Sequence, residues 1–190
     1  MEKFRNELTR FIEGLYEGEK KVLVHGEGVP GAKVMLVGEA PGAQEALTGR
    51  PFVGKAGRNL DEFLQLAGLD RSELFVSNTV KFRPTRISPS GRTVNRAPSQ
   101  EEIRLFLPWL KKEIGLVGPR CVVTLGNVPL KALVDRRITI GEVHGRFQHV
   151  DDVRIYPMYH PASLIYNPSL RPVYLQDVEG LARWLAAGEI

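Results

Sequence analysis

Three short core-strand runs constrain this chain more than anything else in it: the continuous apolar Val34-Met35-Leu36-Val37, and the mostly apolar Leu74-Phe75-Val76-Ser77-Asn78 and Cys121-Val122-Val123-Thr124-Leu125. A strand with one face in water alternates apolar and polar residues, whereas these runs do not alternate. They read as strands covered on both faces, the signature of a parallel sheet packed between helices. A fourth strand is expected over Arg154 to Met158, paired with Gly145 to Val150 across the Asp151-Asp152 turn. Helical segments lie between the runs. One covers about Arg58 to Ala67 and stops at Gly68; Ser99-Gln100-Glu101-Glu102 is a capping box that opens another, to about Ile114; a short one follows Gly126, and a last one covers about Tyr174 to Ala186. Strands alternating with helices imply a layered α/β domain with a mainly parallel sheet.

At 190 residues the chain is expected to form one domain, residues 1–190. Its opening helix, Phe4 to Tyr16, carries Phe4, Leu8, Phe11, Ile12 and Leu15 on one face and is expected to pack onto the domain as an extension within residues 1–20. A short strand is expected over Lys21 to Val24 and a turn cluster over Gly26 to Gly31, while Glu39 to Gly57 reads as a long irregular loop. No apolar run approaches the roughly 20 residues that span a bilayer, and the charged N-terminus lacks a secretory core. A single cysteine makes neither an internal disulfide nor a four-thiolate metal site, and a cytoplasmic protein is expected.

The net charge is only +4, but it is unevenly spread. No Asp or Glu occurs from Leu74 to Gln100, a stretch holding Lys81, Arg83, Arg86, Arg92 and Arg96. Such a strip on a loop suits a phosphate backbone; a solvated loop is the plainer alternative.

In open parallel sheets ligands bind beyond the carboxyl ends of the strands. Three unusual segments fall there: Gly38-Glu39-Ala40-Pro41-Gly42, Asn78, and His160-Pro161. They are expected to converge. The first lets backbone approach a ligand and carries Glu39, with Glu45 beyond it. Phe52, held between Pro51 and Val53-Gly54, is either loop core or a stacking platform for a planar ligand. Asn78 is either a turn cap or a reader of a base edge, since its amide offers a donor and an acceptor side by side. His160 offers a positioned donor to a developing anion. No phosphate loop, nucleophile elbow, HExxH pattern or metal-ligand spacing among the four histidines is present. The residues themselves thus reach a planar-ligand pocket with a basic rim.

Taken in order, these motifs resemble the uracil-DNA glycosylase superfamily, and its family 4 branch in particular. The resemblance rests on Gly38-Glu39-Ala40-Pro41-Gly42, Gly49-Arg50-Pro51-Phe52-Val53-Gly54-Lys55-Ala56-Gly57, Ser77-Asn78-Thr79-Val80-Lys81-Phe82-Arg83-Pro84, Asn95-Arg96-Ala97-Pro98, Thr124-Leu125-Gly126 and His160-Pro161-Ala162-Ser163-Leu164. It covers about residues 22 to 185. It implies a three-layer α/β/α fold and a monofunctional enzyme that hydrolyses the N-glycosidic bond of uracil in DNA and leaves an abasic site. Uracil-containing DNA would be its partner, with no membrane and no obligate protein partner, and a monomer is expected. By the same resemblance Phe52 stacks on an extruded uracil, Asn78 bonds its edge, and His160 stabilises charge on the departing base. Gly38, Glu39, Ala40 and Gly42 line the pocket. Ser163 and Tyr166 belong to the segment expected to enter the duplex, with Tyr166 or Leu170 at its tip.

The chain departs from the family in two respects. Family 4 members carry four cysteines around an iron–sulfur cluster; here Phe82 and Phe106 stand at what look like two of those positions, and the N-terminal pair is absent. No cofactor and no metal are therefore expected, with apolar packing in the cluster's place and the opening helix a candidate brace. Other branches place an Asp where this chain has Ala40, which leaves Glu39 or Glu45 as candidates to activate water. Asn95 stands where a covalently trapping branch has His, and no lysine is evidently placed for a Schiff base. Alternatives are a non-catalytic DNA- or nucleotide-binding member, or a glycosylase for another deaminated base.

Overall fold

The computed structural model describes residues 1–19 and 21–188; Lys20, the end of the expected helical extension, and Glu189 and Ile190 lie outside the described residues. The chain runs α1 (Glu2–Leu15), β1 (Glu27–Gly28), β2 (Val34–Gly38), α2 (Ala43–Thr48), α3 (Lys55–Leu66), β3 (Phe75–Asn78), β4 (Thr85–Ile87), β5 (Thr93–Asn95), α4 (Gln100–Val117), β6 (Cys121–Leu125), α5 (Asn127–Leu133), α6 (Ile140–Val143), β7 (Gln148–Val150), β8 (Val153–Met158), α7 (Ser163–Tyr166) and α8 (Arg171–Ala187). Six strands form one sheet in the order β1-β3-β2-β6-β8-β7. The inner four are parallel, and β1 and β7 close the edges antiparallel.

The three core-strand runs are indeed the doubly covered strands. In β2, Val34 and Leu36 face a layer with Phe63 and Leu64 of α3 and Tyr174, Val178 and Leu181 of α8. Met35 and Val37 face Leu110 and Ile114 of α4 and Leu133 of α5. Two-residue alternation thus feeds two cores at once, and the result is a three-layer α/β/α fold. Each such side chain contributes about 1.5–3 kcal/mol on burial.

A third core has nothing to do with the sheet faces. Phe4, Leu8 and Ile12 of α1 pack against Val80, Phe82 and Phe106. The Phe82 and Phe106 rings meet edge-on at 5.5 Å, and Tyr16 meets Phe82 edge-on at 5.7 Å. The expected α1 stripe is narrower than its periodicity suggests: Phe11 is 40% exposed against Trp109, and Leu15 is 51% exposed.

Other differences are local. The strand expected at Lys21 to Val24 is a single bridge, Leu23 to Phe82. The Gly26–Gly31 turn cluster holds the edge strand β1. The loop expected to be irregular from Glu39 to Gly57 contains α2, ended by Gly49 in the left-handed conformation. The basic loop is mostly a hairpin, β4 paired to β5.

The register puts the chemistry at one edge. Gly38 and Asn78 are paired at the carboxyl ends of β2 and β3. Leu125 and Met158 are paired at the ends of β6 and β8, and the chain continues at once into Gly126 and into Tyr159-His160.

Candidate active site

Glycine at position 38 is what allows the site to assemble. A Cβ there would lie 2.5 Å from Phe52 Cζ and 2.6 Å from Asn78 Oδ1, so both side chains close over bare backbone. Gly126, at φ +90°, plays the same part for His160, whose Cβ would lie 3.1 Å from an added Cβ. Phe52 and His160 face each other with ring centroids 6.0 Å apart and planes tilted by 32°. Together with Asn78 they line a pocket of about 430 Å³ at the sheet's carboxyl edge.

Phe52 is buried in its loop and has φ +54°, a left-handed backbone that costs a bulky residue on the order of 1–3 kcal/mol. Three groups hold it there. Arg71 donates to the Pro51 and Phe52 carbonyls at 2.8 and 3.0 Å. The Phe52 carbonyl also lies where a Cβ at Gly57 would be, at 1.9 Å, so α3 approaches only because Gly57 is bare. Finally, the Glu45 carboxylate accepts from Val53 N at 3.1 Å, Gly54 N at 2.8 Å and Gly42 N at 3.1 Å. Both its oxygens are occupied by backbone. Glu45 is therefore a brace across the loop that also lines the pocket, rather than the free acid the sequence suggested. Gly42 fits for the same reason, since a Cβ there would meet Glu45 Oε2 at 2.7 Å.

Asn78 is buried, and no protein group among the described residues bonds its side-chain amide. Its carbonyl accepts from Lys81 Nζ at 2.8 Å. Lys81 Nζ also donates to Ser77 Oγ at 2.6 Å and to Glu113 Oε2 at 2.5 Å, and neither Lys81 nor Glu113 reaches solvent. Lys81 is thus no DNA contact, contrary to the expectation from the acid-free strip. It is the buried cation that pins the end of β3 from behind.

His160 is partly buried on the pocket wall. Its Nδ1 accepts from Ala162 N at 3.1 Å, so the neutral ring carries its proton on Nε2. Burial holds its pKa down at about 4, opposed weakly by the Glu45 charge. The ring is a neutral donor at physiological pH.

The remaining candidates divide. Ala40, Gly42 and Tyr166 line the pocket, and Tyr166 is 86% exposed. Ser163 opens the short helix α7 that carries Tyr166. Gly38 lies beneath Phe52 rather than on the pocket lining. Glu39 also lies off the lining, although burial raises its carboxyl above the usual range. Arg86 and Arg92 are exposed on the hairpin. Arg83 donates to Asn95 Oδ1 at 2.7 Å, and Arg96 is clasped by both Glu102 oxygens and so braces the hairpin. Asn95, which stands where a trapping branch has His, also lines the pocket, and Lys55, Ala162 and Ile165 line it without having been named as site residues. Lys55 is the lysine on that lining, and no lysine had been singled out there. Arg71 was also missed; it comes from 19 residues beyond Phe52 and carries no local signal.

The one cysteine, Cys121, is buried in β6, and burial pushes its thiol up to about 12. One thiol does not fit a four-thiolate cluster. Among the described residues no three His, Cys, Asp or Glu are grouped to hold a metal ion, and no helix is long and apolar enough to cross a membrane.

Comparison with known proteins agrees with this geometry. A family model described as the uracil DNA glycosylase superfamily matches residues 25–179. The chain is 39% identical over 180 residues to a Type-4 uracil-DNA glycosylase of Pyrobaculum aerophilum, covering 87% of each chain. It is 37% identical over 163 residues to one of Sulfurisphaera tokodaii, covering 81% of this chain and 70% of that one. Among solved structures, Pedobacter heparinus SMUG2 superposes with a TM-score of 0.58 at 14% identity, over 100% of this chain and 86% of that chain.

Proposed function

The chain belongs to the uracil-DNA glycosylase superfamily and is a hydrolase of N-glycosyl bonds that excises uracil from DNA; we propose that Phe52, Asn78 and His160 carry that reaction. The observation that carries this reading is the unpartnered Asn78 amide, set in one pocket with a stacking ring and a neutral histidine donor.

A base inside a duplex is out of reach, so the uridine must leave the stack. In the pocket Phe52 lies against the uracil face. The Asn78 side-chain Oδ1 accepts from uracil N3–H and its Nδ2 donates to O4. Cytosine presents the opposite pair there, an acceptor at N3 and a donor at N4, and is refused by two mismatched contacts. As the C1′–N1 bond breaks, its electron pair stays with the base and charge collects on O2. His160 Nε2–H donates to that oxygen. Its low pKa leaves the ring neutral, so the donor is an uncharged Nε2–H, and such a donor is worth about 2.7–4 kcal/mol in the transition state. The sugar, left as an oxocarbenium ion, takes a water oxygen at C1′ and the water's proton passes to solvent. With Ala40 in place of a carboxylate and Glu45 spent on backbone, leaving-group stabilisation bears most of the catalysis.

The same reading has the enzyme act as a cytoplasmic monomer, without a metal or an iron–sulfur cluster. The α1 core around Phe82 and Phe106 supports the last point, since it fills with apolar packing the place where the resembling branch has cluster ligands. It also has hydrolysis stop at the abasic site, with Lys55 at the pocket mouth as a phosphate counter-ion.

The test is product analysis. Purified protein is incubated in chelator with an oligonucleotide holding one uracil, single-stranded and opposite guanine. Free uracil and an alkali-labile site, with no iron in the protein and no adduct trapped by borohydride, is the expected result. DNA binding without uracil release would instead make the chain a binding module. A borohydride adduct lost in Lys55→Ala would overturn the monofunctional reading alone.

A further inference from the structure

A groove of about 450 Å³ between α4 and α5, apart from the uracil pocket, has a lining with three cations and no acid. Arg104 comes from α4, Lys131 from α5 and Arg136 from the turn after it. Arg104 and Arg136 are exposed, and neither has an ion pair or hydrogen bond among the described residues. This sets them apart from much of the surface. Arg50 is paired to Glu27, Arg71 to Asp61, Lys112 to Glu7, and Arg137, next in sequence to Arg136, to Asp135. The acid that feels Lys131 is Glu142, which is already bonded to Thr139. Three like charges gathered on one lining, with Glu142 beside Lys131 as a nearby counter-charge off that lining, leave an excess of positive charge that favours a polyanion.

The place of the groove says which one. α5 leaves β6 through Gly126, against which His160 packs, and Asn127 on the groove lining is the next residue. α4 runs back to the start of β6, so its first turns lie at the same carboxyl edge of the sheet as the uracil pocket. On that flank Asn95 lines the pocket, Arg96 beside it is clasped to Glu102, and Gln100 and Arg104 line the groove. Two stretches of chain thus lead from the pocket lining to the groove lining, both starting at the carboxyl edge of the sheet.

We propose that this groove is a second DNA contact, which takes the phosphodiester backbone beyond the excised nucleotide. Its apolar floor, with Ile103, Leu107 and Val128, lies against sugar edges while the three cations meet phosphates. The inference rests on the glycosylase reading for its substrate, but its own test does not depend on turnover.

The variant is Arg104→Gln/Lys131→Gln/Arg136→Gln, with Arg104→Lys/Arg136→Lys as a charge-keeping control. Binding is measured against salt on uracil-free strands of 5 and 25 nucleotides, and excision on uracil strands of the same lengths. Each lost phosphate contact lowers the slope of log K against log salt by about 0.7–0.9. The expected result is a slope lowered by about 2 and about tenfold weaker binding on the 25-mer, while the 5-mer is bound and processed as by the parent protein and the lysine control behaves like it too. Unchanged slope and affinity on the 25-mer would overturn the proposal and leave the groove to another polyanion, such as an acidic peptide. So would an equal loss on both lengths, which would mark a general disturbance. A parent protein that binds with the expected length dependence but excises nothing would count against the glycosylase reading alone.

Discussion

Residues 77–83 and 85–96 are neighbours in one acid-free strip, yet they handle charge in opposite ways. In the first, Lys81 is sealed from water and spends its charge on Glu113, Ser77 and the Asn78 carbonyl. In the second, Arg86 and Arg92 stand on a two-stranded hairpin in solvent. The buried cation fixes where a reader of the base edge stands; the exposed ones are free to meet a backbone that varies from site to site. The Phe52 loop repeats the first pattern. Glu45 spends its charge on main-chain atoms and Arg71 divides its own between Asp61 and main-chain carbonyls, and together they hold a strained aromatic in place.

The sharpest way to break this contrast is to remove a buried charge. Lys81→Met leaves Glu113 uncompensated and should cost about 3–5 kcal/mol in denaturant unfolding, with part recovered in Lys81→Met/Glu113→Leu. Arg86→Ala should cost less than about 0.5 kcal/mol. If Lys81→Met were equally mild, the pinning of Asn78 would be wrong.

His160→Ala should lower single-turnover excision by about 10²–10³-fold, as loss of one anion-stabilising donor does. Its unfolding midpoint should hardly move. A comparable loss of folding would make His160 a packing residue rather than a donor.

Arg71→Ala removes two donors from the Pro51 and Phe52 carbonyls. It should cost about 1–3 kcal/mol and raise KM for uracil DNA, because the stacking ring is no longer held. A lower kcat with unchanged KM would count against the stacking role.

Acid makes a subtler test. His160 has its pKa at about 4 in the folded protein, against 6.5 for an ordinary histidine. The unfolded chain takes up that proton first, so stability is present in full above pH 6.5 and is lost as the pH falls toward 4. His160→Gln should flatten that limb. Excision should show no His160-linked fall between pH 8 and 5, and a fall centred near 6.5 would contradict the neutral-donor assignment.

The smallest effect belongs to the hairpin. Arg86→Ala should weaken binding to all sequences alike and lower the salt slope by about 1.

The layers of the fold were legible because burial writes itself into period: short, β-branched and mostly apolar runs such as Cys121–Leu125, bounded by turn residues, suit a doubly covered strand. Asn78 and His160 were legible because strand-end chemistry in such sheets falls at one edge, and Phe52 because an aromatic between Pro51 and Gly54 stands out in a loop. The clasps were not. Glu45 looked like a free acid, and Lys81 looked like a DNA contact, because sequence records a charge but not its partner. Lys81 meets Glu113 from 32 residues away and Arg71 meets Phe52 from 19, distances at which no spacing rule operates. The hairpin hid for another reason: Thr85–Ile87 and Thr93–Asn95 are exposed or only partly covered, so no apolar period marks them as strands.

The central claim is that the Asn78 amide, held open by the Lys81 clasp, reads uracil. Single-turnover excision by Asn78→Ala, compared with the parent protein at matched unfolding midpoints, tests it most directly. The account predicts a fall of about a hundredfold or more for a lost pair of edge contacts, with folding intact. A rate within about threefold of the parent, on a folded variant, would contradict it.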